Sequence, residues 1–345
     1  MKYFNNYTKQ NENDINFELL NNNIKVSFAN AIRRVCLSNI ETPAVREEDI
    51  KIVENSSYLN NGIIENRISL TPLYGGIDYD NITIHLNKSN SNNEIMHVYS
   101  SDVRFVKDGQ EQDKSKYMIY DNILLTHLKK NESLKFTAQV VYSNVYDNSS
   151  NFCPVSTVVY NFKRDNKKIQ DGLKEVTDEL GKKDFELLDA DRLYMTNDKD
   201  EPSVYEFSVE SVGQFAPNVL ITKTFDKLIE KLNNIKLFIN HEKESKISVS
   251  KADFNLESYD FNILDEDDTI GNLLSSYMVD DDKIEFCGYD IPHPLDNKLI
   301  IRTSLKQGNT MENNIDVFKN NIDKLVKIID EVKKEWNTEI HSKNV

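Results

Sequence analysis

The sequence predicts an α+β protein made of two copies of one strand–turn–helix design, the first copy interrupted by a β-rich insert. Three observations predict it. The alternating stretches INFELL (15–20) and YDFNIL (259–264) are each followed closely by a helix carrying an asparagine near its start, Asn30 or Asn272. Each half then ends in a helix with a heptad-like apolar seam: Ile221, Phe225, Leu228, Leu232 and Ile235 in the first, and Ile315, Phe318, Ile322, Leu325, Ile329, Val332 and Trp336 in the second. Between them, from residue 76 to about 200, period-two runs such as Ile82, Ile84, Leu86 and Leu134, Phe136 mark strands.

In chain order, the first helix is VSFANAIRRVCLSNI, with Ser27 as its expected N-cap. Phe28, Ile32, Val35 and Cys36 share its core face. Asn30, Arg33, Arg34 and Leu37 lie almost opposite. Two adjacent arginines read either as a solvated face or, because Leu37 sits among those polar groups, as a second contact surface. Pro43 stops the helix, Ile50 and Ile52 read as strand, and residues 57–70 read as helical or turn-like up to Pro72. The charged stretch 163–183 reads as one amphipathic surface helix through Ile169, Leu173, Val176 and Leu180, and 205–215 as a strand. Residues 236–258 are a polar connection.

The second half opens its helix with Thr269 as expected N-cap, and Asp265, Glu266, Asp267 and Asp268 place negative charge where a helix N-terminus favours it. Ile270, Leu273, Leu274 and Tyr277 form the apolar face, and Asp280, Asp281 and Asp282 end the helix. Ile284 and Phe286 begin a strand. Pro292 and Pro294 bracket His293 in a rigid turn, and Leu299, Ile300 and Ile301 restart the chain as a buried strand. Packing on its own sheet explains part of each helical seam; two matching seams also permit the halves to clasp one another.

Composition narrows the function. The chain has 345 residues, 16 Tyr and 16 Phe, and a net charge of −15, a globular balance that disfavours a direct grip on nucleic acid. Cys36, Cys153 and Cys287 are far apart and build neither a disulfide framework nor a four-thiolate zinc site. The opening stretch MKYFNNYTKQNEN lacks the apolar segment of a signal peptide, so an intracellular location is expected.

A search for chemistry returns nothing that assembles. The acids at 265–268 and 280–282 are consecutive, point around helix ends, and lack the glycine and terminal glutamate of a calcium loop. There is no phosphate-binding Walker loop and no His-Glu-x-x-His. A lone His293 between prolines reads as a hydrogen-bonded structural residue, and Cys36 and Cys287 as small hydrophobes. No catalytic residue is assigned.

Two spaced sets of motifs carry a resemblance. Asp268-Thr269-Ile270-Gly271-Asn272-Leu273-Leu274, Gly288-Tyr289, Pro292-His293-Pro294-Leu295 and Ile300-Ile301-Arg302 resemble the signature of the eleventh subunit of eukaryotic RNA polymerase II and its archaeal L counterpart. FANAIRRVCLSNIETPAV, Asn55-Ser56-Ser57 and Asn66-Arg67-Ile68-Ser69-Leu70-Thr71-Pro72-Leu73 resemble the third subunit, archaeal D and bacterial alpha. The chain departs from that pattern at Asn61-Gly62, where an Asp-Glu pair is usual, and at Asn66, where His precedes the arginine.

The resemblance implies a fusion of the two subunits, as in large nucleocytoplasmic DNA viruses. It implies two alpha-type dimerisation domains, one of residues 1–75 and 203–240 with an insert of 76–202, the other of 241–345. The family often carries a cysteine cluster in the insert; with Cys153 alone there, no zinc site and no cofactor is expected, and magnesium belongs to the large catalytic subunit. The implied partners are the two largest polymerase subunits, with small zinc-binding subunits beside them. DNA and RNA would be met only through the complex, and no membrane is involved. If viral, the location is the host cytoplasm and the virion. Asn30, Arg33, Arg34, Leu37, Gly271 and Asn272 are expected to face a large subunit; Phe225, Leu228, Leu232, Leu273, Leu274, Ile322, Leu325 and Ile329 are expected to hold the halves together. The alternative is a self-contained acidic binding scaffold, monomeric or homodimeric, that keeps the fold outside a polymerase.

Overall fold

The computed structural model describes residues 2–239, 246–252, 257–293 and 295–343. Pro294 and the expected domain boundary at 240/241 lie outside the described residues.

The chain opens with β1 (Phe4–Asn11), β2 (Asp14–Leu20) and α1 (Val26–Ser38). The insert follows as β3 (Thr42–Asn55), α2 (Asn61–Ser69), β4 (Ile82–Ser89), β5 (Met96–Tyr99), β6 (Arg104–Lys107), β7 (Gln110–Gln112), β8 (Leu124–Leu128) and β9 (Ser133–Ser143). The first half resumes with β10 (Val155–Phe162), α3 (Asn166–Glu175), α4 (Glu179–Leu188), β11 (Val204–Ser211) and α5 (Pro217–Phe238). The second half is β12 (Ile247–Lys251), β13 (Tyr259–Leu264), α6 (Asp268–Met278), β14 (Ile284–Asp290), β15 (Lys298–Leu305) and α7 (Met311–Lys343).

The duplication inferred from sequence is written in the topology. One four-stranded sheet runs β1-β2-β11-β10 and the other β12-β13-β15-β14. Replacing β12, β13, β14 and β15 by β1, β2, β10 and β11 makes the orders identical, with α1 and α6 after the second strand and α5 and α7 after the last. The insert enters the first copy between α1 and β10, where the second copy has only the short link from α6 to β14. Two domains of one topology thus share one chain.

The compact units divide differently from the sequence expectation. One contains residues Met1–Val35, Val158–Val209 and Ile221–Val345; the other contains Cys36–Thr157 and Glu210–Leu220. The expected boundary at 75/76 fails because β3 belongs to the insert's sheet, pairing with β9 from Thr42↔Ser143 to Asn55↔Leu134 in the order β3-β9-β4-β6-β7. Ile64, Ile68 and Leu73 are buried in the same core as Ile84, Phe105, Leu125 and Phe136. The stretch 163–203 belongs instead to the unit that holds both four-stranded sheets, as an excursion between β10 and β11.

Local corrections have local causes. The 163–183 stretch is two helices, because Val176 is extended (φ −93°, ψ 119°) and Asp178 caps α4 by accepting from the Gly181 N–H at 2.9 Å. Leu180 is consequently 70% exposed, off any buried stripe. The N-cap of α6 is Asp267, not Thr269: its Oδ1 accepts from the Thr269 N–H at 2.9 Å. Ser27 lies inside α1, which begins at Val26, and Pro43 lies within β3 rather than at the helix end. No described helix is long and apolar enough to cross a membrane.

Candidate pairing and partner interface

Two pairs of helices join the halves, and each pairs an element with its own counterpart. Along α5 and α7, Thr222 meets Asn337 (3.3 Å), Asp226 pairs with Lys333, and Lys236 pairs with Asp323 (2.6 Å). The position numbers of the three pairs add to one constant, the mark of straight antiparallel packing. Along α1 and α6, Ser27 Oγ meets Ser276 Oγ at 2.6 Å and Arg34 Nε donates to Thr269 Oγ1 at 2.7 Å, again with a constant sum. Counterpart against counterpart in antiparallel register is the pattern of a two-fold, isologous dimer, drawn here within one polypeptide.

The apolar seams run alongside these polar contacts. Leu228, Leu232, Ile322, Leu325 and Ile329 are fully or almost fully buried, as are Leu273 and Leu274 of α6. Phe225 is also buried, and its ring stacks on Phe28 of α1 (centroids 6.4 Å apart), so its own half fills part of that position.

The long α7 serves both halves. Phe318 near its start stacks on Phe261 of β13 (centroids 4.2 Å, planes 10° apart), which is packing on its own sheet. Trp336, several turns later, sits against Phe17 of β2 at 4.8 Å and Phe4 of β1 at 5.0 Å, in the other half's core. Glu335 Oε1 accepts from the N–H groups of Tyr3 (2.6 Å) and Phe4 (3.0 Å), satisfying donors at the start of β1. The start of α7 thus packs on its own sheet and its later turns pack on the other half's strands.

Charge locks the α1–α6 contact. Lys25 Nζ reaches the Ser276 carbonyl and the Asp280 carboxylate, each at 2.6 Å. The Tyr277 hydroxyl accepts from the Lys25 N–H (3.2 Å) and donates to the Asn23 carbonyl (3.0 Å). Arg34 Nη2 donates to Asp267 Oδ2 at 3.0 Å. Burial pushes the Asp267 carboxyl up, but its bonds from Thr269 and Arg34 outweigh that and hold it below the usual carboxylate range. Nearby, Lys231 of α5 pairs with Glu266 at 2.9 Å with both side chains largely buried, and burial wins there, raising the Glu266 carboxyl against the pull of Lys231.

The residues expected to face a large subunit therefore separate into groups. Arg34 is committed to Asp267 and Thr269 of the other half, so its expected outward role is corrected. Gly271 is buried against its own sheet; an added Cβ would meet Leu299 Cδ1 and Tyr289 Cδ2, each at 2.6 Å, so the glycine permits helix-to-sheet approach and offers a partner nothing. Asn30 and Arg33 are half-buried and joined, Asn30 Oδ1 accepting from Arg33 Nε (3.0 Å) and Nη2 (2.9 Å). Leu37 is half-buried, its carbonyl accepting from the Cys153 thiol, and Asn272 is half-buried too.

Sequence reasoning missed Lys25, Glu335 and the Tyr277 hydroxyl, whose roles depend on contacts far along the chain. Trp336, the only tryptophan, at the end of a long seam was the available signal. His293 accepts from the Leu295 N–H at 3.2 Å and shapes its turn. Burial raises the Cys287 thiol to about 12.

A family model described as the RNA polymerase Rpb3/Rpb11 dimerisation domain matches residues 18–232, and a second with the same description matches residues 258–335. This chain belongs to that family. Among its relatives, DNA-directed RNA polymerase subunit Rpo3 of Methanosphaera stadtmanae is 24% identical over 258 residues, 63% of this chain and 92% of the relative. DNA-directed RNA polymerases I and III subunit RPAC2 of Schizosaccharomyces pombe is 33% identical over 86 residues, 25% of this chain and 66% of that protein. The same-named subunit of Saccharomyces cerevisiae is 34% identical over 85 residues, 25% of this chain and 58% of that protein. Membership in the Rpb3/Rpb11 dimerisation family makes the protein an alpha-like polymerase subunit.

Proposed function

We propose that the chain is a fused, non-catalytic assembly platform of a multisubunit DNA-directed RNA polymerase, its halves replacing separate third and eleventh subunits. The observation that carries this is the isologous pairing of two same-topology domains inside one chain, α5 on α7 and α1 on α6. A dimer formed in cis is a preassembled surface on which the two largest subunits can dock. In this reading Asn30, Arg33, Leu37 and Asn272 lie toward those subunits, which hold the magnesium and perform nucleotidyl transfer. The chain brings no cofactor to that chemistry and reaches DNA and RNA only through the complex, with small zinc-binding subunits alongside. The Asn- and Lys-rich composition is compatible with a viral origin, and if the enzyme is viral its place is the host cytoplasm and the virion.

The test is affinity purification of the tagged full-length chain from the cells or virions that make it, with partner identification and a promoter-independent RNA synthesis assay. Two very large polypeptides in equal amounts, with RNA synthesis, are expected. The Arg33→Glu variant should fold normally and lose those polypeptides, because it reverses a charge beside Asn30 without touching the contacts between halves. Recovery of the chain alone would overturn the reading; normal assembly by Arg33→Glu would overturn the interface assignment.

A further inference from the structure

His97 and His127 face each other across the two-stranded sheet β5–β8, where they are directly paired residues. Their Nδ1 atoms are 2.6 Å apart, and the rings meet edge to face with centroids 4.6 Å apart. Tyr58 stacks on His127 at 6.1 Å with planes 12° apart, and Tyr99 lies 6.2 Å from His97. The exposed His97 and the half-buried His127 thus meet on a strand ladder, with a tyrosine ring beside each.

Facing Nδ1 atoms at this distance need something between them. Without an ion, one ring carries the proton and the other offers its lone pair. With both rings neutral and deprotonated at Nδ1, two lone pairs converge on one point, which is a chelate. We propose that His97 and His127 form a two-imidazole site for one borderline divalent transition ion of the Zn²⁺, Ni²⁺ or Cu²⁺ class, with water completing the shell. Imidazole suits these ions, whereas Mg²⁺ and Ca²⁺ prefer oxygen ligands.

The geometry requires little adjustment. With metal–nitrogen bonds of about 2.0–2.1 Å, two ligands at a tetrahedral angle stand roughly 3.3 Å apart, so the rings need only part by under about 1 Å. The ladder fixes both backbones and Tyr58 restrains the His127 ring, so little side-chain freedom is lost on binding. Among the described residues no group of three or more His, Cys, Asp and Glu is gathered as a metal set, so this is an open clip and not a closed centre. Its effect would be structural. A two-stranded sheet is marginal alone, and an ion shared between β5 and β8 ties its strands together. The sequence expectation of no metal in the insert weighed cysteines alone; the histidines come together only through strand pairing.

The test is calorimetric titration of the chelator-treated full-length chain with NiCl₂ and ZnCl₂, with MgCl₂ as control. One equivalent of Ni²⁺ or Zn²⁺ should bind at this pair and Mg²⁺ should not. His97→Gln and His127→Gln should each weaken binding by about tenfold or more, while His293→Gln leaves it unchanged. Far-UV circular dichroism checks that the variants fold. For the wild type, Ni²⁺ should broaden the NMR signals of the His97 and His127 rings first, a readout that needs no variant. Absence of binding, unchanged affinity in either variant, or broadening centred elsewhere would overturn the proposal.

Discussion

Arg33 and Arg34 are adjacent in sequence and opposite in employment. Arg33 bonds within its own helix to Asn30, whereas Arg34 crosses to Thr269 and Asp267. Helical periodicity placed both on one polar face; it could not place Asp267, which lies more than two hundred positions later and arrives only when the halves pair. The same contact gives a pH prediction. Asp267 has a lowered folded-state pKa, so its contribution is fully present above the unfolded carboxylate value of about 3.9 and is lost as pH falls through the folded value. In that acid window the unfolded chain binds more protons, and stability rises with pH. Arg34→Ala should cost about 1–2 kcal/mol at pH 7, a charged hydrogen bond discounted for partial exposure. It should also flatten the acid limb, since Thr269 alone then holds the carboxylate. Glu266 is shifted the opposite way, but it is common to both proteins and cancels in the difference. Urea unfolding between pH 3 and pH 7 measures this, and parallel pH profiles for wild type and variant would refute the assignment.

At the scale of elements, the strands, the paired helices and the duplication were legible because burial imposes periodicity on sequence. The misread features were those set by one residue's backbone or by long-range pairing. Val176 looks like another apolar position of a helix until its extended conformation splits the segment. β3 looks like part of the first domain until its partner, β9, is known. The candidate site was half legible: the seams could be read as apolar stripes, but which stretch of α7 serves which half could not. Trp336 now makes that division measurable. It is buried among Phe4 and Phe17 of the other half, so Trp336→Ala should destabilise the protein by about 3–5 kcal/mol. In the wild type this single tryptophan reports on contact between the halves, while far-UV circular dichroism reports on their secondary structure. If the seams make the halves one cooperative unit, the two denaturation curves coincide. A tryptophan transition well ahead of the dichroism would mean that the halves separate first and hold their folds independently.

For the whole molecule, the pairing surface that an alpha-type domain would offer to a second chain is occupied from within. Two domains on one polypeptide meet at an effective concentration set by their connection, not by the solution, so dilution does not separate them. A separate-chain dimer behaves otherwise, its apparent stability falling as protomer is diluted. The net charge of −15 adds general repulsion between copies at low ionic strength. The protein should therefore be a monomer of 40.0 kDa by light scattering, with a melting temperature unchanged over a hundred-fold dilution. A mass near twice that value, or a melting temperature that falls with dilution, would mean that copies exchange halves or pair through another face. That outcome would favour the self-associating scaffold over a platform complete in one chain, because a platform paired within itself needs no second copy.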